Sequence, residues 1–401
     1  MTTDRPDISD FAKLWPLDPD AIYLNHGSFG ACPRFILEKQ SEYRRMLESH
    51  PVRFLIRELE ERFDQSRRKV AAFVNASPED IVFVLNATAA VNTVFRSLTF
   101  HPGDEILLTN HSYGACKRIV EFICERSGAR LVEAVYDFPI TSAEVILRAV
   151  LSKVTSRTRI ALIDHITSAT GIIQPVEKIV KELDILGIDT MIDGAHAIGS
   201  IPLDLENTGA AYYTANCHKW LCSPKSTALL HVRSDKQKGI IPLIISHAGH
   251  RAEPFAERFY WPGTADPTPA LCVGDAIDYM ATLVQGQWPE IMERNHQMCI
   301  RGRDVICNAL KIEPPCPDNM VASMATLPLP NPSEISIPDY KGIEMLQDFF
   351  FRKYNLEVPV LFWDTPPRRF TRISAQLYNA PWQYSFYAEK LAEALKIDVR
   401  N

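Results

Sequence analysis

Lys219 sits in Tyr212-Tyr-Thr-Ala-Asn-Cys-His-Lys-Trp-Leu-Cys-Ser-Pro224, a segment whose other residues are mostly apolar, aromatic or small. Desolvation in such surroundings depresses an ammonium's pKa, and the neutral amine it favours is a nucleophile that forms imines with aldehydes. His218 beside it is placed to donate to a phosphate. The plain alternative is a lysine at a strand end that keeps its head in water.

Ile188-Asp-Thr-Met-Ile-Asp-Gly-Ala-His196 carries Asp193 at the carboxyl end of a predicted buried strand, where open α/β sheets place ligand-binding groups. An acid there can hold the proton of a heterocyclic nitrogen, and His196, three residues on, can reach a phenolic oxygen on the same ring. Capping of the next helix is the ordinary use of such an aspartate. Ile81–Thr93 reads as strand, tight turn and helix, so the amides of Ala87, Thr88 and Ala89 open a helix start suited to phosphate. It lacks the glycines of a P-loop or dinucleotide fingerprint, and Thr88 as a simple N-cap needs no ligand. His111, after the predicted strand Glu105–Thr109, could lie flat on a planar ring, with Tyr113 as its rival and a solvated loop histidine as the alternative. The Asp164-His165 pair has no third ligand at metal-site spacing and reads as structural. Arg372, inside the alternating run Arg369–Asn379, needs an anion: a substrate carboxylate or an internal salt bridge.

These groups must be positioned by a sheet. Short β-branched runs alternate with amphipathic stretches from about Ile81 to Arg233, the pattern of an α/β fold with a mostly parallel sheet covered on both faces. The runs predict strands at Ile81–Leu85, Glu105–Thr109, Leu131–Tyr136, Arg159–Ile163, Ile188–Ile192 and Thr227–Val232, with helices at Arg57–Val74, Tyr113–Ser127, Thr141–Lys153 and Val176–Leu186. Beyond Trp261-Pro-Gly-Thr264 the pattern changes to longer helices, Asp275–Val284 and Trp288–Ala309, then a Pro-rich loop, Leu327–Pro338. Strands Leu356–Phe362 and Arg369–Ser374 and helices Ile343–Tyr354 and Trp382–Leu395 complete a smaller C-terminal α+β domain. The expected division is an N-terminal segment, 1–30, that packs at the site, a large domain, 31–270, and a small domain, 271–401.

Bulk properties narrow the classes further. With 401 residues, 46% of them hydrophobic, the chain can fill a sizeable core, and a net charge of −6 with no basic run argues against nucleic-acid or anionic-membrane surfaces. The polar start and short apolar runs predict a cytoplasmic protein without a membrane span. Nine cysteines without a CxxC pair read as reduced, structural thiols.

A lysine for an aldehyde, an acid for a ring nitrogen, a helix start for phosphate and an arginine for a carboxylate together describe a pyridoxal 5′-phosphate (PLP) site. Tyr23-Leu-Asn-His-Gly-Ser-Phe-Gly30, His50-Pro-Val-Arg-Phe54, Asn86-Ala-Thr88, Asp164-His-Ile-Thr-Ser168, Asp193-Gly-Ala-His196, Asn216-Cys-His-Lys-Trp220, Trp261-Pro-Gly-Thr-Ala-Asp266 and Arg372-Ile-Ser jointly resemble class V aminotransferases of PLP fold type I. Within that family they resemble the branch of isopenicillin N epimerase-like proteins and cysteine or sulfoxide C–S lyases. The resemblance implies that Lys219 carries PLP as a Schiff base, Asp193 partners the pyridinium, His196 contacts the phenolic oxygen and His111 stacks on the ring. It implies that Ala87, Thr88, Asn216 and His218 hold the phosphate, that Ser168 lies on the ring's oxygen side, and that Arg372 clamps the α-carboxylate with Asn25 closing over it. Thr264 would reach the neighbouring subunit's cofactor, which makes a homodimer with shared active sites.

Two departures from the family pattern stand out. Val358–Phe370 contains no cysteine, so the persulfide chemistry of cysteine desulfurases is not expected. The phosphate turn Asn-Ala-Thr-Ala and Pro224-Lys-Ser-Thr lack the glycines common in these enzymes, which backbone amides tolerate. The expected reaction is at the α-carbon of an amino acid, with epimerase or racemase first, C–S lyase second and aminotransferase third. A non-catalytic PLP-binding scaffold is the reading from another class.

Overall fold

The computed structural model describes residues 9–247, 253–332, 343–363 and 366–398. Its strands are Ile22–Tyr23 (β1), Ile81–Val84 (β2), Glu105–Thr109 (β3), Arg130–Ala134 (β4), Thr158–Asp164 (β5), Asp189–Asp193 (β6), Tyr212–Asn216 (β7), Ala228–Val232 (β8), Met324–Pro328 (β9), Leu356–Glu357 (β10), Val360–Trp363 (β11) and Arg368–Ser374 (β12). Seven of them form the central sheet in the order β2-β8-β7-β6-β5-β3-β4. It is parallel from β7 through to β4, while β8 runs antiparallel to both of its neighbours.

Alternate residues of each strand feed two cores, as the two-residue period of a strand requires. Leu107, Ile163, Ile192 and Ala215 face one core, to which the helices Ala143–Leu151 and Val176–Ile185 contribute Ile146, Val150, Ile179 and Leu183. Ile106, Leu162, Met191 and Leu230 face the other, closed by Val91 and Phe95 of the helix Ala87–Ser97 and by Ile119 of Gly114–Ser127. Burial on both faces explains why β3, β7 and β8 are wholly buried and why β3 and β8 read as mostly apolar runs.

The smaller sheet, β11-β12-β9, is antiparallel and is packed against the long helix Gln287–Leu310. The N-terminal segment pairs through β1 with β10, and Leu24 receives the Ser374 amide, which lays residues 25–30 between the two sheets. Among the described residues no helix is long and apolar enough to cross a membrane.

Several expected boundaries move. β7 forms inside the segment chosen for Lys219, where no strand was drawn, and the helix Arg34–Ser49 was not anticipated. The helix expected at Asp275–Val284 runs from Thr268 to Ala281 and packs on the helices Arg34–Ser49 and Leu59–Phe73. The single strand expected at Leu356–Phe362 is broken at Pro359, which cannot donate to a ladder, so β10 and β11 join different sheets. The loop expected from Leu327 begins within β9, and residues 333–338 of it lie outside the described residues.

Candidate active site

Neighbouring strands of the central sheet end at one place. The loops and helix starts that follow them enclose a cavity of about 240 Å³, roofed by Ser28 and Phe29 of the N-terminal segment. Ten of the candidate residues of the sequence line it: Lys219, Asp193, His196 and Ser168, together with Ala87, Thr88, Asn216 and His218, and also Tyr113 and Asp164.

Lys219 follows β7 in a tight turn closed by Cys222 N–H donating to the Lys219 carbonyl at 3.0 Å and Ser223 N–H donating to Cys217 O at 3.1 Å. The same carbonyl lies 3.0 Å from His26 Nε2, and His26 Nδ1 lies 2.8 Å from the Tyr378 hydroxyl. Burial drives the His26 pKa down to about 3. The ring is therefore neutral, with Nε2–H donating to the carbonyl and Nδ1 accepting from Tyr378. Gly30, at φ +68°, completes the approach: a Cβ there would stand 2.0 Å from His218 O and 2.9 Å from Lys219 Cα. His26 and Gly30 of the N-terminal segment thus pack directly on the lysine's turn.

Lys219 Nζ is 3.0 Å from His196 Nε2. Burial lowers the amine's pKa to about 8, with Asp193 acting to raise it and Arg372 to lower it. Burial, and then Lys219, hold the imidazole of His196 well below its ordinary pKa, so this ring is neutral, and its Nδ1 has no partner. Asp193 accepts from the Ala195 amide at 3.0 Å and from the Cys116 thiol at 3.2 Å.

At the helix start Ala87–Ser97, the cap is Asn86 and not Thr88: its side chain accepts from the Ala89 amide at 2.9 Å. The Ala87 amide donates to Asn216 Oδ1, also at 2.9 Å, so of the three amides expected at this turn only that of Thr88 has no acceptor among the described residues. Asn216 holds the turn itself in place. His218 Nδ1 lies 3.3 Å from Thr227 O, which commits the neutral ring to an Nδ1 proton and leaves a lone pair on Nε2. Burial holds its pKa near 4, and an anion placed beside Nε2 would raise it towards the donating imidazolium.

His111 does not line the cavity. It is sandwiched between Tyr136, whose ring is stacked at 3.9 Å and 6°, and Trp363, at 4.3 Å and 51°. Its two nitrogens meet Thr170 Oγ1 and Tyr136 O. Tyr113 lines the cavity instead, 47% exposed, with its backbone amide donating to Asp164 Oδ2 at 3.1 Å.

Arg372, on β12, is buried and does not line the cavity itself, but it bonds two residues that do, Ser168 and Ser28. Its Nη1 donates to the carbonyl of Ser168 and its Nη2 to Ser28 Oγ at 3.0 Å; Ser28 in turn donates to Asn25 Oδ1. Nε has no partner, and no carboxylate pairs with this guanidinium among the described residues, so an internal salt bridge does not explain it. Burial pulls its pKa to about 10. Thr264 is exposed and lies away from this cavity within a single chain. His26, Ser28 and Phe29 belong to the sequence motif Tyr23–Gly30 but were assigned no role there; their position in the fold is the signal. No cysteine lines the cavity.

The donor set suits PLP. His196, whose Nδ1 has no partner among the described residues, and Thr88, whose amide has no acceptor there, line a cavity with a depressed lysine amine and a carboxylate, the groups required by a phenolic oxygen, a phosphate, an aldehyde and a protonated ring nitrogen.

The aminotransferase class-V family model matches residues 22–306. The chain is 31% identical to a probable chloroplastic L-cysteine desulfhydrase of Arabidopsis thaliana, over 96% of this chain and 84% of that protein. It is 30% identical to an isopenicillin N epimerase of Amycolatopsis lactamdurans, over 95% of this chain and 96% of the relative. In fold it is similar to a mutant of C-DES with glycine covalently linked to the PLP cofactor, with a TM-score of 0.76, 20% identity and coverage of 97% of this chain and 100% of that one.

Proposed function

The chain belongs to the class V aminotransferases and is a PLP-dependent enzyme, and on that premise we propose that it is a C–S lyase, cleaving the Cβ–S bond of L-cysteine or a related sulfur amino acid. One observation carries this choice. Among the described residues Lys219, near 8, is the only amine on the cavity wall, whereas His218 is held near 4, His196 lies well below its usual range, and burial pushes Tyr113 and Asp164 upward. A wall with a single amine base suits elimination, in which one base suffices, better than inversion, which needs a second group on the opposite face.

PLP, when bound, supplies an aldehyde for the substrate's amino group and an electron-poor ring that draws electrons from the α-carbon. Arg372 fixes the α-carboxylate through its paired nitrogens, exchanging its contacts with Ser168 and Ser28 for the stronger charge-assisted pair. The neutral amine of Lys219 removes the Cα proton. The resulting ammonium returns a proton to the departing sulfur as the Cβ–S bond breaks. With water added, L-cysteine gives pyruvate, ammonia and hydrogen sulfide. Tyr113, on the cavity wall where His111 is not, would cover a face of the ring. Among the described residues no thiol lines the cavity, which favours a route in which sulfur leaves without passing through an enzyme persulfide.

The epimerase that the sequence put first is the second reading, favoured by the Amycolatopsis relative. Incubation with L-cysteine and L-cystine in heavy water separates the two. Pyruvate and sulfide support the lyase, and α-proton exchange without pyruvate overturns it in favour of the epimerase. Lys219→Ala should lose the visible absorbance and borohydride fixation of the cofactor.

A homodimer with shared sites belongs to the same proposal. Thr264 is exposed beside a groove of about 230 Å³ that includes Phe83, Leu85, Ile244 and Trp261, and the nearby Leu85, Ile244 and Ile245 are 61%, 55% and 72% exposed. Apolar surface of this kind marks association sites.

A further inference from the structure

β5 and β6 end side by side, with Asp164 opposite Asp193 in the parallel register, so both carboxyl groups emerge on the same wall of the cavity. Both residues are buried, at 2% and 3% exposure. The donors around them are unequally shared. Asp193 receives the Ala195 amide on Oδ1 and the Cys116 thiol on Oδ2, while Asp164 receives only the Tyr113 amide on Oδ2. Asp164 Oδ1 is buried and has no partner among the described residues.

Two neighbouring carboxylates out of water do not both ionise, because the first charge opposes the second. The charge settles where donors can hold it, and an oxygen left without partners costs far less when neutral. We infer that Asp164 is kept as a neutral carboxylic acid with its proton on Oδ1, so that the acid pair presents one negative charge, on Asp193, to the cavity. Asp164 is then a positioning residue: it holds the Tyr113 loop through Oδ2 and keeps the charge facing a ring nitrogen at one unit. The other ionisable groups nearby agree. Burial and then Asp193 push Asp164 well above the carboxylate range, and the Tyr113 amide and Lys219, the groups that pull it down, do not prevail. The thiol of Cys116 and the phenols of Tyr113 and Tyr136 are pushed upward and add no cation. The consequence for the ring nitrogen rests on Asp193 being its partner, whereas the protonation of Asp164 does not.

Infrared spectra of the cofactor-free protein near neutral pH test the inference directly. The wild type should show the carbonyl stretch of a protonated carboxyl, shifted by exchange into heavy water, and Asp164→Asn should lose it. Asparagine has the size of the neutral acid and keeps an oxygen for the Tyr113 amide. In the cofactor-loaded protein, Asp164→Asn should therefore move the pH midpoint of the cofactor's visible absorbance by less than about half a unit, whereas loss of a buried charge would move it by roughly 1–3 units. No such band in the wild type, a band that survives in Asp164→Asn, or a midpoint displaced beyond that half unit would overturn the assignment. The wild-type band needs no variant to fold. If Lys219→Ala still fixed cofactor covalently, the functional reading would fail and the infrared result would stand.

Discussion

Reductive trapping of cofactor-free protein with a small aldehyde and cyanoborohydride reports how much of Lys219 is neutral at each pH, since only the free amine condenses. An ordinary lysine at 10.5 is almost entirely protonated at pH 7. Lowering the value to about 8 raises the neutral fraction at that pH roughly 300-fold. Trapping at Lys219, followed by peptide mass spectrometry with exposed lysines of the same chain as reference, should reach half its maximal rate near pH 8. The neighbours set the sign of two further shifts. Asp193 stabilises the ammonium, so Asp193→Asn should bring the midpoint down; Arg372 opposes it, so Arg372→Gln should bring it up, each by roughly 1 unit. A wild-type midpoint at 10 or above, or an upward move in Asp193→Asn, would show that desolvation does not govern this amine.

Arg372→Ala should weaken amino-acid binding by about 2–5 kcal/mol, seen as a raised KM, and leave the cofactor in place; loss of cofactor would mean that the arginine serves another group. Gly30→Ala forces a side chain into positive φ and against the His218 carbonyl, so urea denaturation should register a loss of at least about 2 kcal/mol along with activity. Leu85→Arg, on the exposed apolar groove, should leave a folded chain that sediments as a monomer at micromolar concentration where the wild type sediments as a dimer.

The central sheet was legible because its strands are buried on both faces and so read as unbroken apolar runs, as in Glu-Ile-Leu-Leu-Thr for β3. β7 escaped because Tyr212–Asn216 looked like the surroundings of a reactive lysine before it looked like a strand. Lys219, Asp193 and Thr88 were legible for a related reason: each lies at or just past a strand's carboxyl end, where parallel sheets bring residues together, while Ser168 came only from the family resemblance. His111 illustrates the limit. Two aromatic candidates two residues apart leave the same strand end, and only the packing of Tyr136 and Trp363 around one of them leaves the other on the cavity wall.

The local chemistry of this protein is written in its sequence: a lysine among apolar neighbours, an acid at a strand end and a helix start open to an anion are properties of short segments, and short segments keep them wherever they fold. Which groups share the site was decided by the tertiary structure. Arg372 reaches Ser28 across 344 residues, His26 grips the lysine's own carbonyl, and Asp164 meets Asp193 because the register of two neighbouring strands sets their ends side by side. Such pairings depend on sheet order and register, long-range choices made by the whole core at once.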